Sequence, residues 1–368
     1  MRILHLIYDH INNPWLGGGG AMYVHEIYKR LSQRHTVTVM TGSWPGASAG
    51  AVIEGVRYVH AGPPLNRIAS RLCYSFRAAL VTMSNRYDLV VDSISPFCPT
   101  FAGALTRRPC IADIGLDPFD AARKYRAIQS LILKCLSQNL RRHHNFIVLS
   151  PSLGTSIRKK VSEDALIRII PPGVDTHLFE VKPCEHPFLL FLGRLDINHK
   201  GLDCLVKAYS LLRKERPGIR LVVAGTGPDE AKLRRMIADE NIGDFVYFAG
   251  WVTGGRKTDL LRKCLAVCMP SRREGWPLVA SEAAACSKPV VGFDVTGLRD
   301  AVRNGETGLL VRQEDIQALS QAMRRIVDDD SLRFTLGHKA RKWALNFTWE
   351  KTAQAYETFY KEVLASES

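Results

Sequence analysis

The run Ala266-Val-Cys-Met-Pro-Ser-Arg-Arg-Glu-Gly-Trp-Pro-Leu-Val-Ala-Ser-Glu282 changes character twice within seventeen residues. Residues 266–269 are continuously apolar and read as a strand buried on both faces. Pro270 breaks the run, and Pro277, suited to the first position of a helix where its missing N–H is not needed, opens an apolar helical stretch. Strand, loop and helix in this order are the repeating unit of a doubly wound α/β sheet.

The same unit recurs outward in both directions. Residues 188–192, 220–224, 246–248, 290–292 and 308–311 are further buried-strand candidates, separated by amphipathic stretches. An earlier series holds 3–8, 37–41, 89–91, 110–112 and 146–149. Two such series predict two Rossmann-like, doubly wound domains. The break falls where Pro171, Pro172 and Pro183 interrupt the periodicity. Residues 348–364 read as a final amphipathic helix with Ala353, Tyr356, Phe359, Tyr360 and Val363 on one side.

A chain of 368 residues with 46% hydrophobic and 23% charged side chains fits two globular domains and excludes a disordered protein. Its net charge of +14 favours anionic partners: nucleic acid, a phospholipid surface or phosphorylated small molecules. Residues 1–180 hold 21 Lys and Arg against 12 Asp and Glu, so the first half is the more basic. Nine cysteines with no C-x-x-C pair read as reduced thiols of a cytoplasmic protein; Cys264 and Cys268 stand one turn apart. The sequence begins a strand at once, without a signal peptide's apolar stretch, and no apolar run approaches the roughly 18 residues of a membrane span. The expected setting is the cytoplasm, at most at the inner face of a membrane. Asp328-Asp-Asp330 reads as a polar turn, and no cluster suggests a bound metal.

Ligands in such sheets bind at the carboxyl ends of the strands, and four loops there carry candidate chemistry. Glu274 stands on the loop after 266–269, and Glu282 more than one turn inside the next helix. Between them Gly275, Trp276 and Pro277 lead to the amides of Leu278 and Val279, which a helix start leaves suited to phosphate oxygens. Two carboxylates around a phosphate site suit a ligand with hydroxyls at both ends and a diphosphate between. Taken alone, the pair is equally a charged loop and an exposed helix glutamate. In Gly193-Arg-Leu-Asp-Ile-Asn-His-Lys-Gly201, Arg194 and Lys200 can neutralise a diphosphate and stabilise it as a leaving group, or stand solvated. Gly225 and Gly227, in Val222-Val-Ala-Gly-Thr-Gly-Pro-Asp229, let the backbone approach a phosphate or base. The loop Gly17-Gly-Gly-Gly20 exceeds what a tight turn needs and points to close ligand approach at Gly19 and Gly20.

Together these residues resemble glycosyltransferase family 4. Gly19-Gly20, Pro172-Gly-Val-Asp175, Gly193-Arg194, Lys200-Gly201, Gly225-Thr-Gly-Pro228, Phe248-Ala-Gly-Trp-Val252 and Glu274-x7-Glu282 occur in the family's order, over nearly the whole chain. The resemblance implies a GT-B fold, with two Rossmann-like domains facing across a cleft: residues 1–175 on the acceptor side, joined by the helix 348–368, and 176–347 on the donor side. It implies a retaining, metal-independent hexosyl transfer from a UDP- or GDP-sugar, without further cofactor, in glycolipid, polysaccharide or cell-envelope glycan synthesis. Arg194 and Lys200 would hold the diphosphate, Glu274 the sugar and Glu282 the ribose. The base would lie near Trp251 and Val252, and residues 275–279 would add main-chain contacts. The family commonly places a His near the strand that here reads Cys110-Ile-Ala-Asp-Ile-Gly-Leu-Asp117, where none occurs. Asp113 and Asp117 either face the sugar and acceptor in its place or cap the turn. His10 and His25, near the glycine loop, are read as structural.

Residues 121–144 place Ile128, Leu131, Ile132, Cys135, Leu136 and Leu140 at helical spacing among Arg123, Lys124, Arg126, Lys134, Arg141 and Arg142. Such a helix packs inward or rests on an anionic membrane; 66–86 is similar but less regular. The basic first half favours a lipid-linked or membrane-proximal acceptor. An inverting GT-B transferase or a sugar epimerase is the nearest alternative. An NAD-dependent oxidoreductase needs a complete dinucleotide fingerprint, which Glu230 interrupts. A nucleic-acid-binding role rests on charge alone, without a recognition motif.

Overall fold

The structure, a computed structural model, describes residues 1–14, 18–122 and 129–366. The chain divides into two compact units, Met1–Pro172 with Trp349–Ser368, and Gly173–Thr348.

The first unit is built on strands β1 (Arg2–Leu6), β2 (Thr36–Gly42), β3 (Gly50–Ile53), β4 (Val56–Ala61), β5 (Leu89–Ser93), β6 (Cys110–Ile114), β7 (Asn145–Val148) and β8 (Leu166–Ile169). They form one sheet in the order β3-β4-β2-β1-β5-β6-β7-β8, parallel except for the β3–β4 pair. The central strands are the continuous apolar runs of the sequence. The strand β4, mostly buried, escapes that criterion because Arg57 and His60 interrupt its apolar run, and β3 and β8 escape it because they are edges. An edge strand is covered on fewer sides, and β3 and β8 keep most of their residues at least partly exposed.

The terminal helix Trp349–Ser366 buries Ala353, Tyr356, Phe359, Tyr360 and Val363, the face its spacing defines, and packs on the helix Gly19–Leu31. A buried polar network lines this contact. Tyr356 donates to Asp113 Oδ2 at 3.1 Å and also pairs with Tyr23. Tyr28 pairs with Tyr360 at 2.8 Å and with His5 Nδ1 at 2.7 Å. Burial pushes the Asp113 carboxyl up to about 7 and His5 down to about 3. Asp113 therefore ties the terminal helix to β6 inside the core. Asp117 caps instead: Oδ1 accepts from the Phe119 amide at 3.0 Å, and Oδ2 from Ser156 and Lys160 at 2.6 and 2.7 Å. His10 stacks on Trp44 with centroids 4.8 Å apart, and His25 bonds Tyr58 and Glu54, so both are structural.

The basic segment at 121–144 has its residues 123–128, including Arg123, Lys124, Arg126 and Ile128, outside the described residues. The described helix Gln129–Leu140 puts Leu136 and Leu140 into the core with Phe146. Ile132 and Cys135 are half-buried and Leu131 is 61% exposed, so its apolar side is only partly covered.

The second unit holds β9 (Phe188–Leu192), β10 (Arg220–Ala224), β11 (Val246–Gly250), β12 (Ala266–Met269), β13 (Val290–Phe293) and β14 (Gly308–Val311). All six were legible as apolar runs, and all are parallel. Their order is β11-β10-β9-β12-β13-β14. The chain moves outward one way from β9, then returns to start the other half at β12. The crevice beyond β9 and β12 is the topological switch point, where such a sheet binds ligands.

Candidate functional site

Two loops leave the carboxyl ends of β9 and β12, and the sequence forces them together. After β9, Gly193 takes φ +154°, and Asp196 caps the short helix Ile197–Lys200 by accepting from the His199 amide at 3.0 Å. Gly201 then turns left-handed at φ +64°, and a Cβ there would overlap the carbonyl oxygen of Pro270 in the loop after β12. Arg272 completes the junction: its amide donates to His199 O at 2.9 Å, and its guanidinium to Ile197 O at 3.1 Å and to Asp203 at 2.7 and 2.9 Å. On the far side, a Cβ on Gly297 (φ +80°) would overlap the Glu274 and Gly275 carbonyl oxygens.

This clamp sets Lys200 Nζ 2.8 Å from Glu274 Oε1. The Glu274 side chain is 8% exposed and that of Lys200 20%. Burial pushes the Glu274 carboxyl up, but the charge and hydrogen bond of Lys200 outweigh it and hold the acid below the usual carboxylate range. His199 lies alongside, pushed down by burial and by the Lys200 charge.

Beyond Glu274 the chain runs through Gly275 and Trp276 into the helix Leu278–Ala285. Trp276 is buried: its indole N–H donates to Ser281 Oγ at 3.0 Å and its ring packs on Phe347. It is a wedge beneath the loop rather than a stacking surface for a ligand. Pro277 is the N-cap, one residue earlier than its sequence position suggested, so Leu278 and Val279 are the first two helical residues. Their amides have no carbonyl four residues back to bond within the helix. Both residues are partly exposed. Glu282 follows one turn on, with Oε1 2.6 Å from Lys257 Nζ on the helix Gly254–Lys263.

Lys200, Glu274, the Leu278 and Val279 amides and Glu282 thus come from one neighbourhood at the switch point. Arg194 is not drawn to Glu274. Its side chain is 47% exposed, and its nearest carboxylate is Asp196, 3.6 Å away. Val252 is buried and Trp251 60% exposed, just past β11, where the Gly250 carbonyl accepts from the Gly225 amide at 2.7 Å.

The glycine loops divide by cause. A Cβ on Gly225 would overlap Gly193 O, and one on Gly227 would overlap the Leu195 backbone. The close approach they permit is of chain to chain, and it seats the Gly193–Lys200 loop. Around Gly18 nothing lies within 4 Å of such a Cβ, and at Gly20 only Asp9 Oδ2 at 3.9 Å. No packing demand accounts for those two. Gly19 and Gly20 open the helix Gly19–Leu31, and Gly17 lies outside the described residues.

Arg272, Gly297 and Lys257 were not legible from the sequence. Arg272 stands beside Arg273 in an undifferentiated basic pair, Gly297 lies in a loop with no motif, and Lys257 is 25 residues before its partner on another helix. Only the folded sheet brings them to the site.

The family model described as Glycosyltransferase Family 4 matches residues 17–178, and that described as Glycosyl transferases group 1 matches 177–343. A D-inositol 3-phosphate glycosyltransferase of Acidothermus cellulolyticus is 34% identical over 225 residues, 55% of this chain and 50% of that protein. Another of that name, from Pseudarthrobacter chlorophenolicus, is 39% identical over 202 residues, 51% and 48% of the two chains. The chain thus spans about half the length of the curated relatives it matches. Among solved structures, sucrose-phosphate synthase of Thermosynechococcus elongatus superposes with a TM-score of 0.83 at 22% identity over all of both chains. Anabaena HepE in complex with UDP-glucose gives 0.77 at 19% identity, over 98% of this chain and 100% of the other. With two Rossmann-like sheets and two family matches in succession along its sequence, the chain belongs to glycosyltransferase family 4 and has the GT-B fold.

Proposed function

We propose that the protein transfers a hexose from a nucleoside-diphosphate sugar, with a UDP-sugar preferred over a GDP-sugar, to a hydroxyl of a glycan or lipid-linked acceptor, retaining the anomeric configuration. The observation that carries the reading is the buried Lys200–Glu274 pair beside the open amides of Leu278 and Val279, with Glu282 one turn further on. A diphosphate between the lysine and the amides would have its sugar toward Glu274 and its ribose toward Glu282. Arg194, half in solvent, adds a second cation. Solved GT-B structures of similar fold that hold UDP and UDP-glucose support the choice of uridine. The nine free cysteines support a cytoplasmic setting.

In the transfer, the bond from the anomeric carbon to the β-phosphate oxygen breaks as the acceptor oxygen bonds the same carbon on the same face. The acceptor proton passes to the leaving phosphate. Negative charge grows on the diphosphate, and in this reading Lys200 and the helix amides stabilise it, with Arg194 as a further cation from the same loop. Glu274, ionised beside Lys200, accepts from a sugar hydroxyl and orients the ring.

Thermal melting with UDP, GDP, ADP, their sugars and NAD, all in chelator, tests this. A ligand at a hundred times its Kd adds about 2.7 kcal/mol to the folded state. One nucleoside diphosphate and its sugar should raise the melting temperature, and NAD should not. A shift from NAD alone would replace the reading with the oxidoreductase. NMR of the product then distinguishes a retained anomer from the inverted one or an epimerised sugar.

A further inference from the structure

The helix Arg67–Thr82 in the first unit is amphipathic in an unusual sense. Its inward face, Ser70, Tyr74, Ala78 and Thr82, is buried; Ser70 accepts from Tyr8 and donates to Ser43 O. The opposite face carries Ile68, Leu72, Phe76 and Leu80, which are 73, 69, 65 and 54% exposed. Leu65 before the helix and Met83 after it continue the stripe at 79 and 61%. The spacing of three and four residues keeps Ile68, Leu72, Phe76, Leu80 and the C-cap Met83 on one side over about 22 Å, and Leu65 stands exposed just before them. Among the described residues these are six of the sixteen large hydrophobic side chains in solvent. Soluble surfaces scatter such residues singly; a contiguous row marks an interaction face.

Charge identifies the occupant. Residues 62–87 contain no Asp or Glu and four arginines, Arg67, Arg71, Arg77 and Arg86. Arg71 turns inward over the Tyr8 and Phe97 rings, whereas Arg67, Arg77 and Arg86 are exposed. A second copy of this face would bring like charges together with no local carboxylate to meet them. An anionic lipid surface meets both features at once: acyl chains take the apolar row, and headgroups take the arginines at its rim.

We infer that the helix Arg67–Thr82 lies in the interface of an anionic membrane, with Leu65, Ile68, Leu72, Phe76, Leu80 and Met83 inserted. The inference is independent of the donor chemistry, because none of these residues belongs to the second unit. It favours this helix over the basic segment at 121–144, whose described part leaves one large apolar side chain, Leu131, in solvent.

The test is co-sedimentation of the full chain with vesicles of phosphatidylcholine alone, and of phosphatidylcholine with an equal part of phosphatidylglycerol. The wild type should bind the anionic vesicles, less so in high salt, and leave the neutral ones. Leu72→Asp with Phe76→Asp should weaken binding by roughly a hundredfold, and Arg77→Glu with Arg86→Glu by roughly tenfold or more. Both should keep the wild-type melting temperature and nucleotide response, since the positions are exposed. Equal binding to both vesicle types, no binding to the anionic ones, or binding that neither variant changes would overturn the inference. So would a wild-type dimer that Leu72→Asp with Phe76→Asp dissociates, without any vesicle binding, for then the stripe covers a second copy.

Discussion

Lys200→Met should lower kcat by about a thousandfold, the scale of removing a positioned charge from a developing anion, and the loss should persist after stability is restored. The structure adds a consequence for folding. Because Glu274 is almost fully buried against Lys200, removing the lysine leaves an unpaired buried carboxylate, which costs about 3–5 kcal/mol. In the wild type the carboxyl is held low, so the pair's contribution is complete above the ordinary glutamate value. It fades as pH falls through the lower folded one. In the variant, burial is the largest influence, opposed only by the weaker pull of Ser271 and His199. The carboxyl therefore rises, and the deficit relative to wild type should shrink toward acid pH. Adding Glu274→Gln removes the stranded charge, so the double variant should recover much of the melting temperature and none of the turnover. Kinetics and melting of the four proteins in this cycle check the point. A single variant with kcat within tenfold of wild type would contradict the role given to Lys200.

Gly201→Ala should lower turnover about a hundredfold and also lower the melting temperature, although no functional group is lost. The residue holds a left-handed φ of +64°, and its Cβ would occupy the place of the Pro270 carbonyl oxygen. The backbone cannot yield as a flexible side chain would, so the loops after β9 and β12 must separate. A shift of the order of 1 Å at reacting groups is enough for that loss. Gly218→Ala is the control, since nothing lies within 4 Å of its Cβ. Equal behaviour of the two variants would show that the clamp does not set the site.

What the sequence disclosed followed from burial on two faces. Five strands of the second unit are buried along most of their length, whereas the edge strand β11 buries only Ala249 and was legible from residue type alone. The strands β3 and β8 at the rim of the first sheet are not so buried, and they left no such trace. The Glu274 and Lys200 loops were legible by their order and spacing, which resemble the family's, since taken alone each read as readily as solvated charge. Their partners were not: Lys257 meets Glu282 only through tertiary packing, and Arg272 differs from Arg273 only in where the chain turns. Nor was the partner of Asp113 legible, since Tyr356 comes to it from the terminal helix, 243 residues later. Gly225 and Gly227 were correctly seen as sites of close approach, but the approaching group is the neighbouring loop.

The central claim is that one diphosphate is held jointly by the Lys200 loop and the first turn of the helix Leu278–Ala285. Hydrogen exchange on the full chain, with and without the nucleoside diphosphate that most raises the melting temperature, tests it directly. Peptides spanning 193–202 and 274–282 should slow together on binding, with the amides of Leu278 and Val279 among those protected. Binding that raises the melting temperature while leaving both segments exchanging as before would contradict it.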